Sequence, residues 1–325
     1  MISRRSFITA TTAVILGCSS YQLHAQTDFP DKPIKLVVPY PPGAGPDDLA
    51  RVLGEIMQRS LNTPIIIENK SGAGTNIAAD SVARAAPNGY TLMYADNGLL
   101  MFNEHLYKNM PVNPAKDLTY IGLISSFPLT IVANPKFAPN TPEEFITYIK
   151  NNPGKLNYGS PGVGSPHHLS MEILKQNQDL DIVHVPYRGS APAMIDLISG
   201  EIPFMFVSIG SVLPVLDKLK VIAIAADERS PLLPNVPTLK EAGIVGVEAS
   251  PVQGIVGPAG IPENITAKLN SALNEALASP KFVKRINEGY GSQPTPSTPE
   301  EFKTSMRAEA ERWGPYIKSM NIALD

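Results

Sequence analysis

From residue 27 onward, short β-branched apolar runs alternate with stretches of helical periodicity, and glycine and proline mark each change. Ile34 to Pro39 has strand density and is broken by Pro41-Pro42-Gly43-Ala44-Gly45-Pro46. Leu49, Val52, Leu53, Ile56 and Met57 then recur at i, i+3, i+4, i+7 and i+8, which predicts a helix beginning at Asp47. Pro64 to Glu68 reads as a second strand and runs into Lys70-Ser71-Gly72-Ala73-Gly74. The helix that follows carries Ile77 and Val82 and stops near Asn88-Gly89, and Thr91 to Ala95 is a third strand.

The pattern then restarts. Leu118 to Ala133 is a long extended stretch interrupted at Ser125-Ser126, and Glu143 to Lys150 is helical. Further strands are predicted over Leu156–Ser160, Ile182–Tyr187, Phe204–Ser208, Leu219–Ala226 and Val252–Gly257. Helices follow the loops at 161–166 and 189–192. The tail is helical through Ile265 to Leu277 and again through Phe302 to Ile317. Strands alternating with helices predict an α/β chain whose sheets are rich in parallel strands and covered by helices. The extended stretches near 120–133 and 248–257 are candidate crossovers. A chain that leaves one lobe and later returns would make lobe one from 27–125 plus 255–325 and lobe two from 126–254, with a cleft between them.

Length agrees: 325 residues suit two domains of ~150. With 27 basic and 30 acidic residues the net charge is −3, so no basic excess exists to hold nucleic acid. The single cysteine excludes an intramolecular disulfide and a Cys-Cys metal site. Met1 to Gln26 has Arg4 and Arg5, no acid, and an apolar run from Phe7 to Leu16 that is shorter than the ~20 residues of a membrane span. That is the plan of an export signal, and Ser3-Arg4-Arg5-Ser6-Phe7-Ile8 fits the twin-arginine route as well as the Sec route. Two processing sites are open. Ile15-Leu16-Gly17-Cys18 would place a lipid on Cys18, whereas cleavage after Leu23-His24-Ala25 would leave no cysteine. A cysteine-free mature chain suits an oxidising compartment, and the signal itself implies an extracytoplasmic one.

The catalytic signals are mostly negative. No serine has glycine at both −2 and +2, and there is no phosphate-binding G-x-x-x-x-G-K-[ST] and no H-E-x-x-H. Gly72-Ala73-Gly74 with Asp96 about 20 residues on partly mimics a dinucleotide fingerprint, but Ile77-Ala78 stand where the third glycine belongs. His167 and His168 are adjacent, a poor metal pair, and His167 is a candidate hydrogen-bond donor to a ligand. No metal or cofactor is expected. What recurs is a strand end, small residues and a helix start, at 41–47, 71–76, 160–168 and 188–193. A helix N-terminus has unpaired N–H groups and about half a positive charge, so an anion can bind there without lysine or arginine. Asp47 beside such a loop would repel a carboxylate unless it turns inward to hold the loop's N–H groups.

These blocks resemble the Bug-type receptors of tripartite tricarboxylate transporters along the whole mature length. They are Pro39-Tyr40-Pro41-Pro42-Gly43 with Asp47, Ala50 and Arg51; Glu68-Asn69-Lys70-Ser71-Gly72-Ala73-Gly74 with Asn76-Ile77; and Ala86-Pro87-Asn88-Gly89-Tyr90-Thr91-Leu92. Tyr158-Gly159-Ser160 with Gly164-Ser165-Pro166, then His184-Val185-Pro186-Tyr187-Arg188-Gly189-Ser190-Ala191-Pro192-Ala193, resemble the second-lobe loops, and Gly257-Pro258-Ala259-Gly260-Ile261-Pro262 the return. The resemblance implies a two-lobed periplasmic binding protein fold of type II-like plan that closes on a small carboxylate, mono- or dicarboxylic, for uptake through integral-membrane permease subunits. It implies a first wall of Tyr40, Gly43, Ala44, Asp47, Ala73, Gly74, Thr75 and Asn97. The second wall would be Ser160, Gly164, Ser165, His167, Gly189, Ala191 and Ser208. Where relatives often carry an acid after Met-Phe, this chain has Val207, which argues against an amino-acid ligand. Val252, where an aromatic residue is common, leaves room for a longer or aromatic acid. A monomer is expected. The competing readings are a sensor on the same fold and an exported cofactor-dependent enzyme.

Overall fold

A computed structural model describes residues 29–247, 251–320 and 324. The expected export signal at 1–26, including Cys18, lies outside the described residues. The chain first lays down β1 (Ile34–Val38), α1 (Gly45–Leu61), β2 (Ile65–Asn69), α2 (Asn76–Ala83) and β3 (Thr91–Asp96). Helical turns at Gly98–Phe102, α3 (Asn103–Leu106) and α4 (Pro114–Asp117) lead to β4 (Leu118–Ser126). A second set follows: β5 (Leu129–Ala133), α5 (Pro142–Lys150), β6 (Asn157–Ser160), α6 (Pro166–Gln178), β7 (Val183–Pro186), α7 (Ser190–Ser199), β8 (Phe204–Ser208), α8 (Ile209–Val212) and β9 (Lys220–Ala225). The chain then returns through β10 (Val252–Pro258), α9 (Glu263–Ala278), α10 (Pro280–Tyr290), β11 (Gln293–Pro294) and α11 (Pro299–Ser319).

Two sheets result, ordered β11-β4-β10-β3-β1-β2 and β7-β6-β8-β5-β9. Strands joined through a helix, β1 to β2 and β6 to β7, pair in parallel, as the alternating pattern requires. The strands that carry the chain between sheets are antiparallel to their neighbours: β10 to both β3 and β4, and β5 to both β8 and β9. Each sheet is therefore mixed. The long extended stretch divides at residues 127 and 128, with β4 in one sheet and β5 in the other. Residues 125/126 and 254/255, where the sequence suggests lobe boundaries, both lie inside strands of the six-stranded sheet.

Period-two burial fixes the faces of that sheet. Ile34, Leu36 and Val38 of β1 point to a cluster with Leu49, Leu53, Leu273 and Phe282, while Val37 points to the other side. Helix α1 carries Asp47 and Asp48 in its first turn and Arg59 in its last, each matched to the helix dipole, and it stops at Asn62 in the left-handed region. Helix α11 begins with Pro299 and a reciprocal cap between Thr298 and Glu301. Its buried face, Phe302, Met306 and Trp313, closes the opposite side of the sheet. The sequence pattern passed over α10, whose apolar residues Phe282 and Ile286 are only one turn apart, and the helical turns at 98–106.

Candidate functional site

Loops following β1, β2, β3 and β6 converge on a cleft of about 500 Å³ between the two sheets, at the carboxyl ends of the strands. Its walls include Tyr40, Gly74, Thr75 and Asn97 from the first sheet's loops and Gly164, Ser165 and His167 from the second's. Gly43, Ala44, Asp47, Ala73, Ser160, Gly189, Ala191 and Ser208 do not line it. Several of these shape the loops that do.

Asp47 is the clearest case. It is 2% exposed and turns inward. Its Oδ2 accepts the Gly43 N–H at 2.8 Å and Arg51 Nε at 3.0 Å, and its Oδ1 accepts Asn69 Nδ2 at 2.7 Å. Burial pushes its pKa up, but the hydrogen bonds from Arg51, Gly43 and Asn69 outweigh burial and hold it at about 2. The carboxylate is thus occupied with its own loop and tied to β2. Because the folded-state pKa lies below the ordinary 3.8, this stabilisation is complete above that value and disappears as pH falls through about 2. Arg51 is half exposed, so solvent screening limits the effect to about 1–2 kcal/mol. Between pH 5 and pH 2 the wild type should lose that much more unfolding free energy than Asp47→Asn in urea titrations. Parallel losses would contradict the assignment.

The second loop has an unusual backbone. Gly72, Ala73, Gly74 and Thr75 all have positive φ, at 134°, 46°, 55° and 79°. For a β-branched residue such as Thr75 that is a costly conformation, held by its surroundings. Thr75 is the N-cap of α2 yet makes no side-chain cap bond, and its Oγ1 is buried with no hydrogen-bond partner among the described residues. Asn103 Nδ2 steadies the loop from below, donating to the Gly74 carbonyl at 2.7 Å.

Across the cleft, residues 161–167 are held by neutral imidazoles. The Gly164 N–H donates to His168 Nδ1 at 3.2 Å, and Ser160 Oγ, hydrogen-bonded to Gly162, lies 2.6 Å from His184 Nε2. The His168 and His184 rings stack with centroids 4.0 Å apart. Burial lowers both to about 4, so two uncharged rings can face each other at neutral pH. Ser165 caps α6 by accepting the His168 N–H. His167, on the cleft wall, is also lowered to about 4 by burial, and its Nδ1 has no partner among the described residues. Gly189 reaches this loop through its N–H to the Pro161 carbonyl, Ala191 is exposed, and Ser208 pairs with Ser211.

The crossover strands form the cleft floor. Asn97 Oδ1 accepts the Val252 N–H, so this side chain ties the end of β3 to the returning chain. Gln253 Oε1 accepts the Tyr94 and Ser125 hydroxyls. Gln253, Phe127 and Asp96 line the cleft but are not among the expected wall residues; Asp96 drew notice only as part of a weak dinucleotide signal, although it stands at a strand end, the same signal that marks Asn97. Val207 is fully buried against Leu197 and Ala193 and does not line the cleft. A further cavity of about 560 Å³ lies on the other side of Val252, but its charges pair with one another, Lys240 with Asp227 and Arg312 with Glu309.

Residues 49–322 match the family model described as the tripartite tricarboxylate transporter family receptor. The chain belongs to this receptor family. It is 32% identical over 299 residues to the protein BugT of Bordetella pertussis, covering 91% of each chain. Among solved structures, the R. palustris protein Rpa4515 with adipate superposes with a TM-score of 0.80 at 30% identity, covering 91% of this chain and 99% of that one. MatC from Rhodopseudomonas palustris with bound malate gives 0.77 at 33% identity, covering 89% and 100%. The two-sheet α/β architecture and the Bug-type resemblance read from the loops agree with these relatives. This receptor's family is one of substrate binding, and solved neighbours include the periplasmic binding protein BugD.

Proposed function

We propose that this receptor captures a small organic carboxylate, mono- or dicarboxylic, in the cleft between its sheets and hands it to the permease subunits of its transporter without chemical change. One observation carries the reading. The Gly72–Thr75 loop opens α2 with four positive-φ residues, an uncapped N-terminus and an unpartnered Thr75 hydroxyl, and it lies in a cleft lined by no lysine or arginine among the described residues. Backbone N–H groups in such a turn, at the positive end of a helix, favour an anion. Gly74, Thr75 and Tyr40 would contact the ligand from one side and Gly164, Ser165 and His167 from the other. Gly43, Ala44, Asp47, Ala73, Asn97, Ser160, Gly189, Ala191 and Ser208 would act through the loops they shape. The two sheets with their helices, close to the expected lobes 27–125 plus 255–325 and 126–254 but parting between strands and not within them, would close by bending at the two crossovers. The adipate and malate of the two related structures support a carboxylate ligand. The protein would work as a monomer outside the cytoplasm, exported by residues 1–26 through the Sec or twin-arginine route.

A thermal-shift screen of the mature chain against mono- and dicarboxylates, their amides, amino acids and nucleotides tests this. A ligand at 100 times its Kd adds about 2.7 kcal/mol of stability. A rise in Tm with an acid that is absent with its amide is expected. A response to nucleotides alone would overturn the proposal.

A further inference from the structure

Asp96 is the one carboxylic side chain on the cleft wall among the described residues; burial raises its pKa from the ordinary value, and hydrogen bonds from Tyr40 and from the Leu99 and Gly98 N–H groups pull against that. It ends β3, is half-buried, and has no lysine or arginine partner there. Every contact it makes comes from a donor. Tyr40 Oη donates to Oδ2, and the Leu99 N–H donates to Oδ1 at 3.3 Å. Burial, and then the Asp96 charge, raise the Tyr40 hydroxyl well above its ordinary pKa, so Tyr40 remains a donor. The carboxyl is also next to the anion-favouring loop. Asp96 Oδ1 and the Gly74 carbonyl lie 3.2 and 3.8 Å from the point where a Gly98 side chain would begin. A ligand whose carboxylate sits on the Gly72–Thr75 loop therefore presents its neighbouring carbon to an acceptor-only group.

We infer that Asp96 sets the substrate class, selecting acids that carry a hydrogen-bond donor, a hydroxyl or an ammonium, beside the carboxylate and disfavouring a second carboxylate at that position. This rests on the carboxylate reading above. Such a donor completes the coordination of Asp96. A second carboxylate would set two acceptor-only anions together in a half-buried site with no cation near, which is unfavourable. A plain acid would leave the carboxyl without its extra partner. A hydrogen bond to a charged group is worth ~1.5–3 kcal/mol, about a tenfold to hundredfold difference in Kd.

The test is isothermal titration of the mature protein with two matched series. One is butyrate, 2-hydroxybutyrate, 2-aminobutyrate and ethylmalonate. The other is phenylacetate, mandelate, phenylglycine and phenylmalonate. Within each series only the group beside the carboxylate changes. The wild type should bind the hydroxy or the amino member about tenfold or more tighter than the parent acid, and the malonate more weakly still. Preference for the hydroxy member identifies a hydroxyl donor, and preference for the amino member an ammonium; both support the role. Asp96→Ser should flatten the ranking within each series. Asp96→Asn, which keeps the side chain's shape but exchanges one acceptor oxygen for a donor, should give a ranking between those of the wild type and Asp96→Ser, and so separates selection from general disturbance of the wall. A wild type that prefers the parent acid or the malonate, or an Asp96→Ser variant that keeps the wild-type ranking, would overturn the inference while leaving carboxylate capture intact. Failure of every acid to bind, in these series and in the screen above, would overturn both.

Discussion

Gly74→Val is expected to weaken carboxylate binding on the order of a hundredfold, the loss of about 3 kcal/mol that removing one or two hydrogen bonds to a charged group produces. Two effects act together. Gly74 holds φ at 55°, a region costly for a β-branched residue, and Thr75 beside it already bears that cost. A β-carbon there would also lie 2.5 Å from Tyr107 Oη, itself on the cleft wall. The chain must relax toward negative φ, and the turn that opens α2 would then re-aim its N–H groups. Gly243→Val is the matching control. Gly243 has φ of 76°, but a β-carbon there would meet no atom within 4 Å, and the residue does not line the cleft. It should cost stability from backbone strain with little change in affinity. Equal affinity losses in the two variants, measured by calorimetry, would contradict a specific role for the Gly72–Thr75 loop.

Trp313→Ala should destabilise the fold by about 3–5 kcal/mol and lower Tm by about 10 °C. Trp313 is 1% exposed, and its ring meets Phe102 edge to face with centroids 5.3 Å apart. Its Nε1 donates to Glu309 at 3.1 Å. Phe102 ends the helical turn that leaves the cleft after Asp96 and Asn97. The cavity left by the indole therefore lies beneath the cleft wall, and affinity should fall together with stability. Trp313→Phe retains the edge-to-face contact and should lose less of both. A Tm change below about 3 °C for Trp313→Ala would mean that α11 contributes far less to the core than its burial indicates.

The elements that the sequence revealed are those whose signal is local. Phe204–Ser208 is a compact apolar run and appears with those bounds, and Val252 opens β10 where the pattern places it. Helix α1 starts at Gly45, two residues earlier than Asp47, because Pro46 suits the first helical turn and the periodicity cannot register it. The mixed direction of the sheets was less visible. Direction is set by where the chain crosses between sheets, and β-branched density carries no direction. The site divides in the same way. Gly74, Thr75 and His167 sit in loops whose small residues and helix starts advertise an anion site. Asp47 was readable as a turned-in residue because a free carboxylate there would oppose the site's purpose. Gln253 and the Tyr40–Asp96 pair were not readable, because their partners lie 159 and 56 residues away along the chain. Val207 falls on the strand face packed against α7, which its place in an apolar run did not reveal.

The most direct test is the crystal structure of the mature protein with the tightest-binding acid from the screen. The ligand carboxylate is expected within hydrogen-bond distance of Thr75 Oγ1 and the backbone N–H groups of residues 73 and 74, with residues 161–167 covering its other side. A carboxylate bound instead in the cavity beside Ser126, Asp227 and Arg312, or lying in the cleft away from the Gly72–Thr75 loop, would contradict the account.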